Sequence, residues 1–276
     1  MATSGEVTLK RAIEGQATKL ARSVHNIRYD AVHDEILVGN PVAQAVTVFR
    51  GGADGEEAPI RIIQGSRTML WDPDHVDVDP VHNEIFVPEG HKILVFPREA
   101  EGNVAPIRVI EGPDTKLVEI RGIVIDPVHE LIIVTVDRTY GPSTDSIHQQ
   151  KSQDGEGAVL IFNRTDNGNV KPRGMIGPGP ITNFYHINEL AVSPKGWIVV
   201  PMSGSGGITD AGSAIGSRQI GIWSVNDNGD VPPHWILGGP TTKLPSDRNV
   251  TLNPEAKELI VFGDGGFAGY SLPEIF

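Results

Sequence analysis

With nine histidines, thirty-five aspartates and glutamates and no cysteine, the chain offers imidazole and carboxylate groups for chemistry but no thiol. Thiol catalysis, iron–sulfur clusters and cysteine-bound zinc are excluded. His25, His75 and His186 lie in three separate polar stretches, and Glu189 follows the third closely. Three imidazoles and a carboxylate suit a divalent ion such as Zn, Fe, Mn or Cu, with Ca as a further option. An open position on that ion would let it polarise a carbonyl or activate water. His148 and Tyr140 are then candidate proton shuttles, and Arg121 is a candidate bidentate holder of a substrate carboxylate. The same residues also fit a plain polar lining, or an acid–base histidine without metal. Arg121 and Arg248 equally suit ion pairs with Glu119 and Asp247.

What positions these residues is a repeat. Turns at Asp30-Ala31-Val32-His33, Asp79-Pro80-Val81-His82, Asp126-Pro127-Val128-His129, Ser193-Pro194-Lys195-Gly196 and Asn253-Pro254-Glu255-Ala256 each follow one apolar strand and precede another. Asp, Asn or Ser before Pro initiates a β-turn, because the side chain accepts a backbone N–H and Pro pre-sets φ. A third strand carries an aromatic near its end, at Phe49, Phe96, Phe162, Trp223 and Tyr270. A Gly-rich turn then leads to a fourth strand. The aromatics are spaced by 47, 66, 61 and 47 residues, the range of propeller blades with two insertions.

Ile13-Glu14-Gly15-Gln16-Ala17-Thr18-Lys19-Leu20 closely copies Ile110-Glu111-Gly112-Pro113-Asp114-Thr115-Lys116-Leu117, where a unit ends. The expected fold is therefore all-β, a five-bladed β-propeller of four-stranded antiparallel blades. It is closed by the N-terminal strand, about Val7 to Ile13, completing the C-terminal blade. The blades span about 21–65, 71–112, 118–177, 186–238 and 247–276 with 6–15, in one domain. Both insertions, 137–156 and 202–218, fall between second and third strands and are expected to overhang one channel mouth as a lid. His33, His82 and His129 recur with the turn, so they read as structural.

A net charge of −12 argues against nucleic acid or an anionic membrane as partner. No run of about 18 apolar residues marks a membrane span. A soluble monomer acting on a small-molecule substrate is expected, cytoplasmic by default and secreted or periplasmic if a signal peptide has been removed.

His75-Val76-Asp77-Val78-Asp79-Pro80 and Gly122-Ile123-Val124-Ile125-Asp126-Pro127 resemble the inner strand of NHL-like and SMP-30-like propeller repeats. The resemblance covers all five units in layout and blades one to three in residues. It implies a scaffold that carries metal-dependent lactonases and lyases as well as plain interaction domains. The leading expectation is a metal-dependent hydrolase or lyase for a small organic molecule, using His25, His75, His186 and Glu189. A non-catalytic ligand-binding or interaction propeller is one alternative. Another is a glycosidase pairing Asp74 with Glu189, whose carboxyls would stand roughly 5–10 Å apart.

Overall fold

The structure is a computed structural model that describes residues 9–137, 157–184, 187, 189–203, 218–239, 241–244, 246–264 and 266–276. Its strands form five sheets in up-and-down order. The first sheet holds β1 (Asn26–Asp30), β2 (Glu35–Asn40), β3 (Ala45–Arg50) and β4 (Arg61–Gln64). The second holds β5 (Asp77–Asp79), β6 (Glu84–Glu89), β7 (Lys92–Pro97) and β8 (Arg108–Ile110). In the third are β9 (Glu119–Asp126), β10 (Leu131–Asp137), β11 (Ala158–Asn163) and β12 (Gly174–Ile176). The fourth has β13 (Ala191–Val192), β14 (Trp197–Ser203), β15 (Arg218–Ser224) and β16 (Trp235–Gly238). The fifth has β17 (Ser246–Asn253), β18 (Glu258–Asp264) and β19 (Gly266–Ser271). The fold is all-β, a five-bladed β-propeller. By contacts the chain divides into residues 1–85 with 96–107, and residues 86–95 with 108–276.

The turn after each first strand shows why Asp and His recur there. Asp30 Oδ1 accepts the backbone N–H groups of Val32 and His33, and Oδ2 meets His33 Nδ1 at 2.7 Å. Asp79 with His82 and Asp126 with His129 repeat this arrangement, at 2.7 and 2.6 Å. The imidazole thus bonds the turn carboxylate rather than the backbone. Asp34, Asn83, Glu130, Gly196 and Lys257 close the five turns with φ between 54° and 78°.

A second device recurs between blades. Gly55, Gly102, Gly168 and Gly229 stand at φ 63°, 70°, 73° and 86°; the last three each clasp the outer strand of the preceding blade, and Gly55 clasps the segment around Ile13. Gly168 N–H donates to Val109 O at 2.7 Å, and Gly168 O accepts from Glu111 N–H at 3.2 Å. The other three glycines repeat both bonds on Ala12 and Glu14, Ile62 and Gln64, and Met175 and Gly177. The residue after the glycine then caps the following linker. Asn103 accepts from Arg67 N–H, Asn169 from Asp114 N–H, and Asp230 from Ile181 and Thr182 N–H. Each linker is a Gly-x-x-Thr turn in which the Thr hydroxyl donates to the Gly carbonyl, at Thr18, Thr68, Thr115, Thr182 and Thr242.

Alternate strand residues fill the cores. Phe86, Ile93, Val95 and Ile110 pack with Ile123, Ile125, Ile132, Val134, Leu160 and Phe162. Leu131, Ile133, Val159 and Ile161 meet Ile198, Val200 and Trp223, and Val199, Ile220 and Ile222 meet Val250, Leu259 and Val261. Phe49, Phe96, Phe162 and Trp223 are fully buried, as marker aromatics should be. The expected N-terminal strand, about Val7 to Ile13, falls partly outside the described residues. Among the described residues the fifth sheet has three strands, and Leu9–Ala12 are in none. Ile13 makes a parallel bridge to Gly55, with Glu14 N–H donating to Gly55 O and Gly55 N–H donating to Ala12 O. Residues 1–8 lie outside the described residues.

One ion cluster is buried. Arg61 grips Glu35 with two bonds of 2.8 and 2.6 Å, and Arg98 adds a third at 3.0 Å. Burial alone would push the Glu35 carboxyl up, but the Arg61 and Arg98 guanidiniums outweigh it and hold it below the ordinary value. A lowered carboxylate stabilises the fold above its unfolded pKa of about 4.3, and that stability disappears as pH falls through the folded value. Arg61→Ala should cost about 3 kcal/mol at pH 7. The gap to wild type should narrow below pH ~4.3, as urea denaturation over a pH series would show. A gap independent of pH would contradict this account. The clasps give a second expectation. An added Cβ at Gly168 meets no atom within 4 Å, so Gly168→Ala carries only the strain of positive φ, about 1 kcal/mol. Gly112→Ala, whose Cβ would fall 2.5 Å from the Asn169 side chain, should lower the urea midpoint clearly more.

Candidate functional site

The residues leading into each first strand escape the repeat. Five positions before the turn residue stand His25, Asp74, Arg121, Asn188 and Arg248. Seven before it stand Ser23, Asp72, Glu119, His186 and Ser246. The scaffold keeps its turn and clasp residues while these side chains change from blade to blade, so their identities answer to something other than folding.

In the first unit the changes come together. His25 Nδ1 lies 2.7 Å from Asp74 Oδ1, a contact between residues 49 apart in sequence. The ring N–H is off the line of that contact. Asp74 Oδ1, itself buried, makes no hydrogen bond among the described residues. Both side chains are about half exposed, at 53% and 40%. Burial pushes the Asp72 carboxyl up, Asp74 adds to the rise, and His25 opposes it. Below this pair Arg28 Nε meets Asp77 Oδ1 at 3.3 Å.

The backbone explains why Asp74 reaches His25. Gly39 is paired with Asn26 across β1 and β2. A Cβ on Gly39 would stand 2.6 Å from Pro73 O and 3.1 Å from Asp74 O, so the bare Cα admits the 72–74 segment. Asn26 Oδ1 accepts Val76 N–H at 3.2 Å and fixes the segment from its other end. Asp74 N–H bonds Asp72 O at 2.7 Å.

In the second unit a different cluster occupies the same approach. Register shifts between Thr135 and Val136, with Gly122 opposite the first and Ile120 opposite the second. Arg121 is the extra residue of this β-bulge, a device that re-aims a side chain. Its Nη2 lies 3.1 Å from Glu119 Oε1. Glu119 pairs in register with the fully buried Asp137. Burial raises the Glu119 carboxyl, Arg121 opposes and Asp137 reinforces. The register of β17 on β18 also shifts between Ser246 and Asn249, around Asp247 and Arg248.

The expected site residues are distributed as follows. His25 and His75 belong to the first unit, with His25 on Asp74. Glu189 and Arg121 belong to the second, with Arg121 on Glu119. His186, His148 and Tyr140 lie outside the described residues, as do 138–156 and 204–217, the bulk of the two insertions. The insertions do fall between second and third strands, after Asp137 and after Ser203. Among the described residues no group of three or more His, Asp or Glu stands close enough to hold an ion. His234 Nε2 contacts Asp227 at 3.1 Å and its ring abuts Trp197, so it belongs to the packing of the fourth blade. The His25–Asp74 contact itself had no local sequence signal, since its partners share only a position in the repeat.

No helix among the described residues is long and apolar enough to cross a membrane. No protein family matches the chain, and no curated protein does. Solved structures resemble it in fold. Hydrazine synthase of Kuenenia stuttgartiensis matches with TM-score 0.58 and 12% identity over 98% of this chain and 64% of that one. The WD40 domain of Toxoplasma gondii coronin matches with TM-score 0.55 and 12% identity over 90% of this chain and 55% of that one. The chain thus spans less than two thirds of either. At such identity the likeness shows a β-propeller and nothing of its chemistry.

Proposed function

We propose that the protein is a hydrolase or lyase for a small organic molecule, with His25 and Asp74 as its proton-handling pair. The carrying observation is the 2.7 Å contact of Nδ1 with a buried carboxylate oxygen at positions that the repeat does not conserve. In that role the Nδ1 proton would turn to Asp74, leaving Nε2 as the basic nitrogen. It takes a proton from water attacking a carbonyl, or from carbon beside a leaving group, and Asp74 stabilises the imidazolium that forms. In this reading Asp72, whose carboxyl is raised by burial and by Asp74, would return a proton to the leaving oxygen.

The same contact favours a second reading, the divalent ion expected from His25, His75, His186 and Glu189. Histidines that bind metal commonly present their other ring nitrogen to a carboxylate. Asp74 would then orient His25 with Nε2 toward the ion, which would polarise a carbonyl or supply an activated water.

Purified protein should hydrolyse at least one member of a panel of lactones, aryl esters and glycosides, and His25→Ala should lower kcat/KM by about 10²–10⁴. Asp74→Asn should lower kcat more than it raises KM. Full activity in His25→Ala would overturn the proposal. Metal content measured by mass spectrometry decides the second reading. One ion per chain, lost in both His25→Ala and His75→Ala, supports it; no ion, or an ion indifferent to both, removes it. Ligand binding without turnover would instead make this a non-catalytic binding propeller.

A further inference from the structure

Asparagine precedes glycine at two places in the chain, Asn167-Gly168 and Asn228-Gly229, and both are clasp turns. In this dipeptide the backbone nitrogen attacks the asparagine side chain readily, because glycine has no Cβ to hinder the approach. Water is not kept away, since Asn167 and Asn228 are both exposed. Crowding does not hold the turns either: a Cβ on Gly168 or Gly229 would meet no atom within 4 Å. What holds them is hydrogen bonding. Gly168 N–H donates to Val109 O at 2.7 Å, and Gly229 N–H to Met175 O at 2.6 Å. Each asparagine is tied to the same strand residue as its glycine. Asn167 Oδ1 accepts from Val109 N–H and Asn228 Oδ1 from Met175 N–H, both at 3.0 Å. Asn and Gly together thus occupy both backbone groups of one strand residue.

We propose that Asn167 and Asn228 are latent deamidation sites that the clasps keep shut. The glycine nitrogen must give up its proton and attack Asn Cγ. A new N–Cγ bond closes a cyclic imide and the Cγ–Nδ2 bond breaks. The proton passes through solvent to the leaving amide, which departs as ammonia. Water then opens either imide carbonyl, giving aspartate or isoaspartate. In a closed clasp a strand carbonyl engages the nitrogen's proton, and the same residue's N–H pins the side chain. The bond to Oδ1 would by itself draw electrons from Cγ and favour attack, so the protection lies with the nitrogen. The two products differ in consequence. At the first clasp an aspartate already serves, since Asp54 Oδ1 accepts Ala12 N–H at 3.0 Å and Gly55 N–H donates to Ala12 O at 2.7 Å. Deamidation to aspartate therefore leaves a working clasp. Isoaspartate routes the backbone through Cβ, shifts the glycine N–H off its carbonyl and prevents reclosure. An opening of the clasp is then recorded as a covalent change.

The test incubates whole protein in mildly alkaline buffer, native and in urea, and follows deamidation at each site by isotope-resolved peptide mass spectrometry. Both sites should react at least about tenfold more slowly in the native protein, because reaction there waits on local opening. Equal rates in the two conditions would overturn the proposal. Two variants separate opening of a single clasp from unfolding of the whole. Ile110 bridges Gly168 and Ile176 bridges Gly229, and both side chains are fully buried. Ile110→Val should speed the native reaction at Asn167 alone, and Ile176→Val at Asn228 alone, by roughly two- to tenfold. Variants that speed both sites equally, or neither, would overturn the proposal. Asn167→Asp should keep the wild-type urea midpoint, as the aspartate of the first clasp implies. A clear loss would remove the distinction between the two products and sink the idea that isoaspartate alone breaks the clasp.

Discussion

A glycine in the left-handed region, clasped to the outer strand of the unit before it, is the constraint on which the rest of this structure depends. Two backbone hydrogen bonds per clasp fix the pitch from one blade to the next, at Gly55, Gly102, Gly168 and Gly229. An L residue with a Cβ adopts that conformation only at a cost of 1–2 kcal/mol, roughly, so glycine is the natural occupant. The Asn or Asp that follows caps the linker turn at three of these places, and the Thr hydroxyl ties the turn to its own glycine.

The chain contains two kinds of His–Asp pair. In the turns, the Asp is satisfied three times over, by two backbone N–H groups and one imidazole, and the pair recurs in three blades. Nothing there is left to react. At the lead-in, His25 and Asp74 belong to different blades, are half exposed, and include an acceptor oxygen with capacity remaining. The distances are nearly the same in both kinds. What separates them is the number of hydrogen bonds already made to the carboxylate.

The architecture was largely legible because its signals are local. A turn Asp before Pro, alternating apolar residues and an aromatic at the end of the third strand all mark the unit within a few residues. The clasps were missed, although Gly55, Gly102, Gly168 and Gly229 each precede an apolar outer-strand residue, Ile63, Ile110, Ile176 or Leu237, by eight positions. A lone glycine followed by Asn, Asp or Glu looks like any turn until its φ is known. Gly5-Glu6-Val7 has the same form and stands eight residues before Ile13. The linkers were recognised in two copies of five; an added Gly177-Pro178 and a changed Leu237-Gly238-Gly239 hide two of the other three, and Gln64 and Ser66-Arg67 replace the matching residues in the third. At the site, His25, Asp74 and Arg121 were all in view. Their partners were not equally so: Arg121 reaches a residue two positions away on its own strand, whereas His25 reaches across 49 residues. Only the Gly39–Pro73 approach, a backbone contact without a sequence signature, brings that pair together.

The carboxyl groups raised above their ordinary range give the final argument about where function resides. Asp72 and Glu119 occupy the same place in successive repeats, seven residues before the turn Asp. Their partners differ, Asp74 and His25 for one, Arg121 and Asp137 for the other. The largest cause is burial in both cases. The lead-in position is therefore an environment supplied by the scaffold, partly shielded and close to other charges, in which a carboxyl keeps its proton more readily than in water. Chemistry in this fold then turns on which neighbour the next few residues bring. A bulged arginine pairs with Glu119 in the second unit, whereas in the first unit Asp72 feels the charges of Asp74 and His25.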